Sequence, residues 1–277
     1  MIRLASPEDL PALRELFARA NDAPYDLGVV AEEKCFGDGI AGKPVTRVIE
    51  RDGRVVAASV RCGKWLRVLA VHPEERRKGY GTALIEEEVS VVAAEPGNYF
   101  VPGVPLDDEG AKAFFSSRGF AAKDVTWNLD VDLGSCGAAG FSPPSNSIIR
   151  RAEARRSTSI LEFVERNFGR IWRFEAAKAF ERDVPPAFIA EEEGTITGFA
   201  VHDVNNRGLG WFGPTGVAKE MRGRGVGGQL LQASLADLRR LGYERAIIPW
   251  TDALDFYAKA SGAKPANRFV AFAKTRP

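Results

Sequence analysis

The sequence predicts an α+β protein in which one domain, a mixed sheet with helices packed on its faces, is written twice in tandem. Three observations predict it. The phrase R-x-x-G-x-G occurs twice, over Arg76 to Gly81 (RRKGYG) and over Arg222 to Gly227 (RGRGVG), about half the chain apart. Each copy follows a short apolar strand-like run and opens an apolar helical run. Between the halves, Gly134 to Ser147 reads GSCGAAGFSPPSNS, the Gly, Ser and Pro content of a linker. The expected division is a first domain over 1–133, a linker over 134–147 and a second domain over 148–277.

The elements follow in order. Ile2 to Ala5 reads as a strand. Ser6 is placed as an N-cap, with Pro7 at the first helical position and Asp9 in the first turn. Leu10, Leu13, Leu16 and Phe17 then recur at helical spacing. Val45 to Glu50 and Val55 to Val60 alternate around Asp52-Gly53, a hairpin signal. Leu66 to Val71 is a third apolar run, and after the glycine turn a helix is expected from Thr82 with Leu84, Ile85 and Val89 inside. The second half repeats the order. Ile148 and Ile149 are strand-like, and a helix follows near Ser159 to Phe168. Phe188 to Glu191 and Thr195 to Val201 flank a turn at Glu193-Gly194, and Trp211 to Ala218 approaches the second glycine turn. A long helix with Leu230, Leu231, Ser234, Leu235 and Leu238 on one side comes next, then a strand at Ala246 to Pro249.

Composition limits the partners. The 277 residues are 45% apolar and 27% charged, as in a soluble globular protein of one large or two ordinary domains. A net charge of +1 gives no electrostatic argument for a nucleic acid or a membrane surface, and neither partner is expected. Cys35, Cys62 and Cys136 are odd in number and far apart, which predicts no disulfide framework and fits a reducing cytoplasm. With His72 and His202 they form no ligand-like spacing, so no metal is expected. MIRLASPEDL is a strand and a charged helix start rather than a signal peptide, and no apolar run reaches the ~18 residues a bilayer span needs. A cytoplasmic monomer or homodimer is expected.

A strand ending in a glycine-rich loop that opens a helix is an anion site. Glycines permit positive φ and close backbone approach, and the first N–H groups and the macrodipole attract a pyrophosphate. The loop lacks the G-K-[ST] of a Walker A sequence and the spacing of the Rossmann fingerprint.

At these residues the chain resembles the GCN5-related N-acetyltransferase (GNAT) family, whose acetyl-CoA phrase is Arg or Gln, then x-x-G-x, then Gly or Ala. The run LAVHPEERRKGYGTALIEE, Leu69 to Glu87, is a close match, as are the closing phrases AKAFFSSRGF and DFYAKASGA. The resemblance covers nearly all of the chain outside the linker. It implies two tandem GNAT domains, each a mixed, mostly antiparallel sheet flanked by helices. It also implies acetyl transfer from acetyl-CoA to an amine, without a metal. Acetyl-CoA would be held in the second half by the strand edge Gly216, Val217 and Ala218 and the turn Arg222, Gly223, Arg224, Gly225, Val226, Gly227 and Gly228. In the first half the counterparts are Val71, with Ala70 and His72, and Arg76, Arg77, Lys78, Gly79, Tyr80, Gly81 and Thr82. Pro214 cannot join a normal central ladder and marks a bulge or edge beside the site.

The family's general acid is a Tyr that opens the last helix in the phrase FY. The second half has it, as Phe256-Tyr257, whereas the first half has Phe114-Phe115. A phenyl ring donates no proton, so the first half is expected to be a degenerate copy and the second the catalytic one. Gly262 follows Tyr257 by five residues, where Gly119 follows Phe115 by four. The general base is not legible: Glu191, Glu192 and Glu193 read as a hairpin turn, Asp203 ends a strand, and Asp252 reads equally as an amine ligand or, with Asp255, as a helix cap. Trp250 and Asp252 are candidates for the acceptor pocket. Short phrases such as FGPTGV and NYFVPGVP resemble tandem members that act on amino sugars, so a small-molecule amine, best an amino sugar, is the expected acceptor. The alternatives are a protein or peptide N-acetyltransferase and a non-catalytic acyl-CoA sensor.

Overall fold

A computed structural model describes residues 1–20, 26–134 and 147–274. Most of the expected linker, and Cys136 within it, lies outside the described residues. The strands are β1 (Ile2–Leu4), β2 (Val45–Arg51), β3 (Arg54–Cys62), β4 (Trp65–Val71), β5 (Val91–Val92), β6 (Val104–Pro105), β7 (Phe120–Asp132), β8 (Ile148–Arg151), β9 (Ala187–Glu192), β10 (Thr195–His202), β11 (Phe212–Val217), β12 (Arg245–Thr251) and β13 (Lys264–Lys274). The helices are α1 (Leu10–Ala20), α2 (Ala31–Phe36), α3 (Tyr80–Leu84), α4 (Glu109–Ser116), α5 (Ser157–Phe168), α6 (Arg170–Ala177), α7 (Val226–Arg240) and α8 (Leu254–Ser261). None of them is long and apolar enough to cross a membrane.

The chain gathers into two units, Met1–Thr126 with Arg268–Pro277, and Trp127–Asn267. This departs from the linear division expected at 133 and 148. The core explains the difference. Val270 and Phe272, near the chain's end, are buried in unit 1 with Leu66, Val92 and Phe115. Leu129, Val131 and Leu133 are buried in unit 2 with Leu230, Leu235 and Ile248.

In unit 1, β1, β2, β3 and β4 pair antiparallel in that order. Asp52 (φ 51°) and Gly53 (φ 73°) make the β2–β3 turn with two left-handed residues, the geometry that suits a two-residue hairpin. Then β5 runs parallel to β4, through Trp65–Val91 and Leu66–Val92 only. The outer edge of β5 pairs antiparallel with β13, Val92 opposite Phe272. The N-terminus of α1 is set as the sequence predicts: Ser6 and Asp9 form a reciprocal capping box. Leu13, Leu16 and Phe17 are its buried face.

Unit 2 has the same plan. β8, β9, β10 and β11 pair antiparallel in order. β12 pairs antiparallel with the 127–132 part of β7. β11 and β12 meet through one parallel bridge, Trp211–Ile247. The expected position of Pro214 is correct: it falls in the register shift of the β10–β11 ladder between Ala200–Thr215 and His202–Phe212. α7 buries Leu230, Leu231, Ser234, Leu235 and Leu238.

One helix is shorter than its apolar spacing predicts. α3 ends at Leu84, and Ile85 is extended (φ −81°, ψ 117°). Val89 is buried without being helical. Beyond the break, Glu86 is held by Arg61 Nε at 2.6 Å and Arg47 Nη2 at 2.9 Å, two ion pairs that fix the chain in its non-helical path.

Candidate active site

In each unit the two parallel strands pair at their start and then part, leaving a wedge whose inner edges carry no ladder. Past the Trp211–Ile247 bridge, β11 from Gly213 to Val217 is half-exposed at every residue. Its other edge is occupied by β10, so the open edge offers its N–H and C=O groups to an extended, amide-bearing ligand.

The strand leads into the glycine turn. Lys219–Met221 forms one 3-10 turn, then Gly223 (φ 77°) and Gly225 (φ 81°) take left-handed backbone and α7 begins at Val226. Left-handed backbone favours glycine at both positions, and a Cβ on Gly223 would meet nothing within 4 Å, so that position stands open for a ligand. The first N–H groups of the 15-residue α7 have no intrahelical acceptors, and its dipole adds positive character. Arg222 is partly committed: its Nε donates to Val217 O at 3.2 Å, tying the turn to the strand end. Arg224 lies 3.6 Å from Glu192. Unit 1 repeats the geometry with one cost. Arg76 Nε reaches Val71 O at 3.5 Å, Gly79 has φ 86°, and Arg77 holds φ 67° where unit 2 has Gly223. A left-handed residue with a Cβ costs about 1–2 kcal/mol.

The wall opposite the turn comes from the last helix of each half. Phe256 and Tyr257 of α8 stand edge to face, and so do Phe114 and Phe115 of α4. A Cβ on Gly227 would lie 3.6 Å from Phe256 Cζ, and one on Gly81 only 3.3 Å from Phe114 Cζ. The last glycine of the unit 1 phrase is therefore tight against the aromatic pair, whereas Gly227 is in ordinary contact range of it.

Tyr257 is 9% exposed and lines a cleft of about 560 Å³ with Thr215, Gly216, Val217, Gly225 and Gly227. Burial pushes its phenol up to about 12, and its hydroxyl makes no hydrogen bond among the described residues. It stays protonated at neutral pH. In unit 1, Phe115 is buried in a cluster with Phe114, Phe120 and Phe272. It borders a cleft of about 840 Å³ that also takes in Val71, Arg76, Arg77, Gly79, Tyr80, Gly81 and Thr82.

Other candidates fall outside the cleft of unit 2. Trp250 is 42% exposed with φ 49°, its N–H held by buried Asn128 Oδ1 at 3.1 Å. Asp252 is exposed and does not cap α8; Thr251 Oγ1 instead accepts from Ala253 N at 3.0 Å. Ala218 is buried below the strand end, and Lys78 pairs with Glu75 at 3.0 Å. Glu191 is bound by Arg150 at 2.5 Å and Arg156 at 2.6 Å. Asp203 is bound by Arg182, Tyr243 and the Gly208 N–H. Among the described residues no three His, Cys, Asp or Glu side chains gather as a metal site.

Two features escape the sequence. Phe168 and Trp172, stacked at 5.2 Å and 21°, form an aromatic wall of the unit 2 cleft against Gly216. Their spacing across Gly169 is a legible signal. In unit 1, Arg67 and Glu95 are fully buried and bonded to each other. A lone arginine in the apolar run WLRVLAV is the available hint.

Comparisons with known proteins agree with this geometry. The sequence model of the Acetyltransferase (GNAT) family matches residues 153–263, and that of the Acetyltransferase (GNAT) domain matches residues 29–122. A mycothiol acetyltransferase of Parafrankia sp. (strain EAN1pec) is 26% identical, over 87% of this chain and 86% of its own. Among solved structures, the glucosamine N-acetyltransferase region of a fungal multi-domain beta-N-acetylglucosaminidase aligns with a TM-score of 0.80 at 20% identity. It covers 98% of this chain, which spans only 38% of that protein. A tandem GNAT protein from the clavulanic acid biosynthesis pathway aligns with a TM-score of 0.72 at 18% identity, over 100% and 99% of the two chains. What the solved structures share with this chain is the fold. With both halves matched and both wedges formed, the chain belongs to the GNAT family as a tandem member, an acetyl-CoA-dependent N-acetyltransferase.

Proposed function

We propose that unit 2 transfers acetyl from acetyl-CoA to a primary amine of a small molecule, an amino sugar fitting best, and that unit 1 does not turn over. The observation that carries this reading is the contrast at one position: a buried phenol, Tyr257, on the cleft of unit 2, and a phenyl, Phe115, in unit 1.

The residues of unit 2 suit acetyl-CoA. The open edge Gly216–Val217 fits pantetheine amides, and the turn Arg222 to Gly228 fits the pyrophosphate, with two left-handed glycines, Gly223 and Gly225. Bound there, acetyl-CoA supplies an acetyl group as a thioester. The balance is one C–N bond formed, one C–S bond broken, and one proton passed from amine to thiol. Tyr257 donates a hydrogen bond to the charge that develops on sulfur. A phenol near 12 is a weaker acid than a thiol near about 8.5, so its contribution is hydrogen-bond donation through the transition state rather than a finished transfer beforehand. Glu191 and Asp203 are committed to arginines and Asp252 stands off the cleft, so these carboxylates do not serve as the base. The amine attacks in its neutral form, its ammonium proton having gone to solvent.

Support for an amino sugar comes from the name of one similar structure, a glucosamine N-acetyltransferase region.

The test is thiol release from acetyl-CoA across amino sugars, polyamines, amino acids and peptides, with wild type and Tyr257→Phe. An amino sugar should be fastest. Tyr257→Phe should bind acetyl-CoA normally and lose most turnover, and equal rates for the two proteins would remove Tyr257 from the mechanism.

A further inference from the structure

The two wedges match position by position. Trp65 and Trp211 carry the parallel contact, Val71 and Val217 end the inner strands, and Arg76 and Arg222 open the turns. Val91 and Ile247 mark the parallel contact on the facing strands, and Ala94 (φ 51°) and Trp250 (φ 49°) are left-handed at the same step beyond it. On this match Arg67 corresponds to Gly213, and Glu95 to Thr251.

At these two positions the wedges differ in what crosses them. In unit 1, Arg67 Nε and Nη2 donate to Glu95 Oε2 and Oε1 at 2.5 and 2.8 Å, spanning the parted strands. Arg67 Nη1 donates to the carbonyls of Lys34 and Gly37 at 2.8 and 2.9 Å, and Lys34 Nζ donates to Asn98 Oδ1 at 2.8 Å. Both members of the pair are fully buried, while Arg67 and Val68 also border the unit 1 cleft and Leu69 and Val71 of β4 are half-exposed. In unit 2, Gly213 has no side chain, a Cβ there would meet nothing within 4 Å, and its strand is half-exposed from that residue to Val217. Thr251, the counterpart of Glu95 on β12, is half-buried with a short side chain turned to Ala253 N.

We propose that the space over Gly213, bounded by Thr251, is the approach of the acceptor amine in unit 2, and that the Arg67–Glu95 pair fills the equivalent space in unit 1. Gly213 is then a specificity-determining position: what stands there decides whether a bound thioester can be reached. This rests on unit 2 being the working half. It adds that restoring a tyrosine in unit 1 by Phe115→Tyr would not suffice to open it to acceptors.

The test transplants the unit 1 pair into unit 2 as Gly213→Arg with Thr251→Glu, using glucosamine as the acceptor probe, or the fastest amine of the panel where glucosamine is inert. Thiol release should fall at least 100-fold, with acetyl-CoA affinity by calorimetry within about threefold of wild type. Because Gly213 has φ 113°, Gly213→Ala is the control for backbone strain. It adds one methyl in open space at the same backbone strain, so its turnover sets the level below which the transplant must fall. Thr251→Phe fills the same space from the other strand without that strain. It should raise the acceptor KM at least tenfold and leave the acetyl-CoA KM unchanged. Wild-type turnover in the transplant, a fall in Gly213→Ala as deep as the transplant's, or an unchanged acceptor KM in Thr251→Phe overturns the inference. Failure of the underlying reading looks different: Tyr257→Phe then keeps its activity.

Discussion

Phe256 and Tyr257, neighbours on one helix, stand edge to face with 4.9 Å between centroids and 70° between planes. Phe256 covers Gly227 at the start of α7, and Tyr257 turns inward against Phe212 at 6.3 Å. Burial is what raises the phenol to about 12. A raised value means that the protonated form is favoured in the folded protein. The acid is therefore present throughout the neutral and moderately alkaline range. Turnover should climb with pH as the acceptor amine loses its proton and should show no descending limb below about pH 10. The measurement is kcat/KM from about pH 6 to 10. A fall near pH 9 that Tyr257→Phe abolishes would show that the phenol titrates much lower than its burial implies. The same shift gives a stability contribution present below the unfolded value of 10 and lost as pH rises through 12.

The buried pair of unit 1 makes a prediction about stability alone. Glu95→Ala leaves the Arg67 guanidinium inside with its two remaining carbonyl partners and no counter-charge. Removing one member of a buried pair costs about 3–5 kcal/mol, whereas replacing both by apolar residues of similar volume is near neutral. Arg67→Met with Glu95→Leu should therefore be more stable than either single variant. Urea unfolding of the four proteins of the cycle checks it, and strictly additive effects would mean that the two residues act independently.

Much of this architecture is legible in the sequence because it rests on local chemistry. Asp52-Gly53 and Glu193-Gly194 make their turns through left-handed residues at both positions, which two adjacent residues suffice to encode. The phrase R-x-x-G-x-G encodes its own turn, with the arginine anchored on the carbonyl of the strand just before it. What stays hidden depends on partners distant in sequence. Arg67 reads as an interruption of a strand until Glu95, 28 residues on, meets it. α3 reads as a longer helix because apolar spacing continues to Val89, and its end is set by arginines on β2 and β3. Which sheet a strand completes also depends on distant partners: Val270 and Phe272 are buried with Leu66, Val92 and Phe115, so the end of the chain belongs to unit 1 against a linear reading.

Asp237 anchors unit 2 through α7. It accepts from His202 Nε2 at 2.9 Å, Arg240 Nε at 3.0 Å and Arg151 Nη2. Burial alone would raise its carboxyl, but the hydrogen bonds from His202, Arg151 and Arg240 outweigh that and hold it far below the usual carboxylate range. A depressed value contributes stability above the unfolded value of 3.8 that is lost as pH falls through the folded one. Asp237→Ala should cost about 3 kcal/mol at pH 7. The gap between variant and wild type should narrow in strongly acid solution. Denaturant midpoints at pH 7 and pH 3 provide the check, and a gap that widens on acidification would reverse the sign argued here.

Gly216 is the tightest position on the unit 2 wedge. A Cβ there would stand 2.5 Å from Phe168 Cζ and 2.6 Å from its Cε1, closer than two carbons can approach. Phe168 cannot simply swing aside, because it stacks on Trp172 at 5.2 Å and packs on Phe199 at 5.4 Å. Gly216→Ala must therefore displace an aromatic cluster, at about 1–3 kcal/mol for an overpacked site. The displaced wall also borders the strand edge proposed to pair with pantetheine, so the KM for acetyl-CoA should rise several-fold while kcat changes little. The double variant Gly216→Ala with Phe168→Leu removes the ring atoms that clash and should recover part of both losses. Thermal melts and acetyl-CoA titrations of the three variants decide it, and a Gly216→Ala protein as stable and as tightly binding as wild type would show that the aromatic wall is free to move.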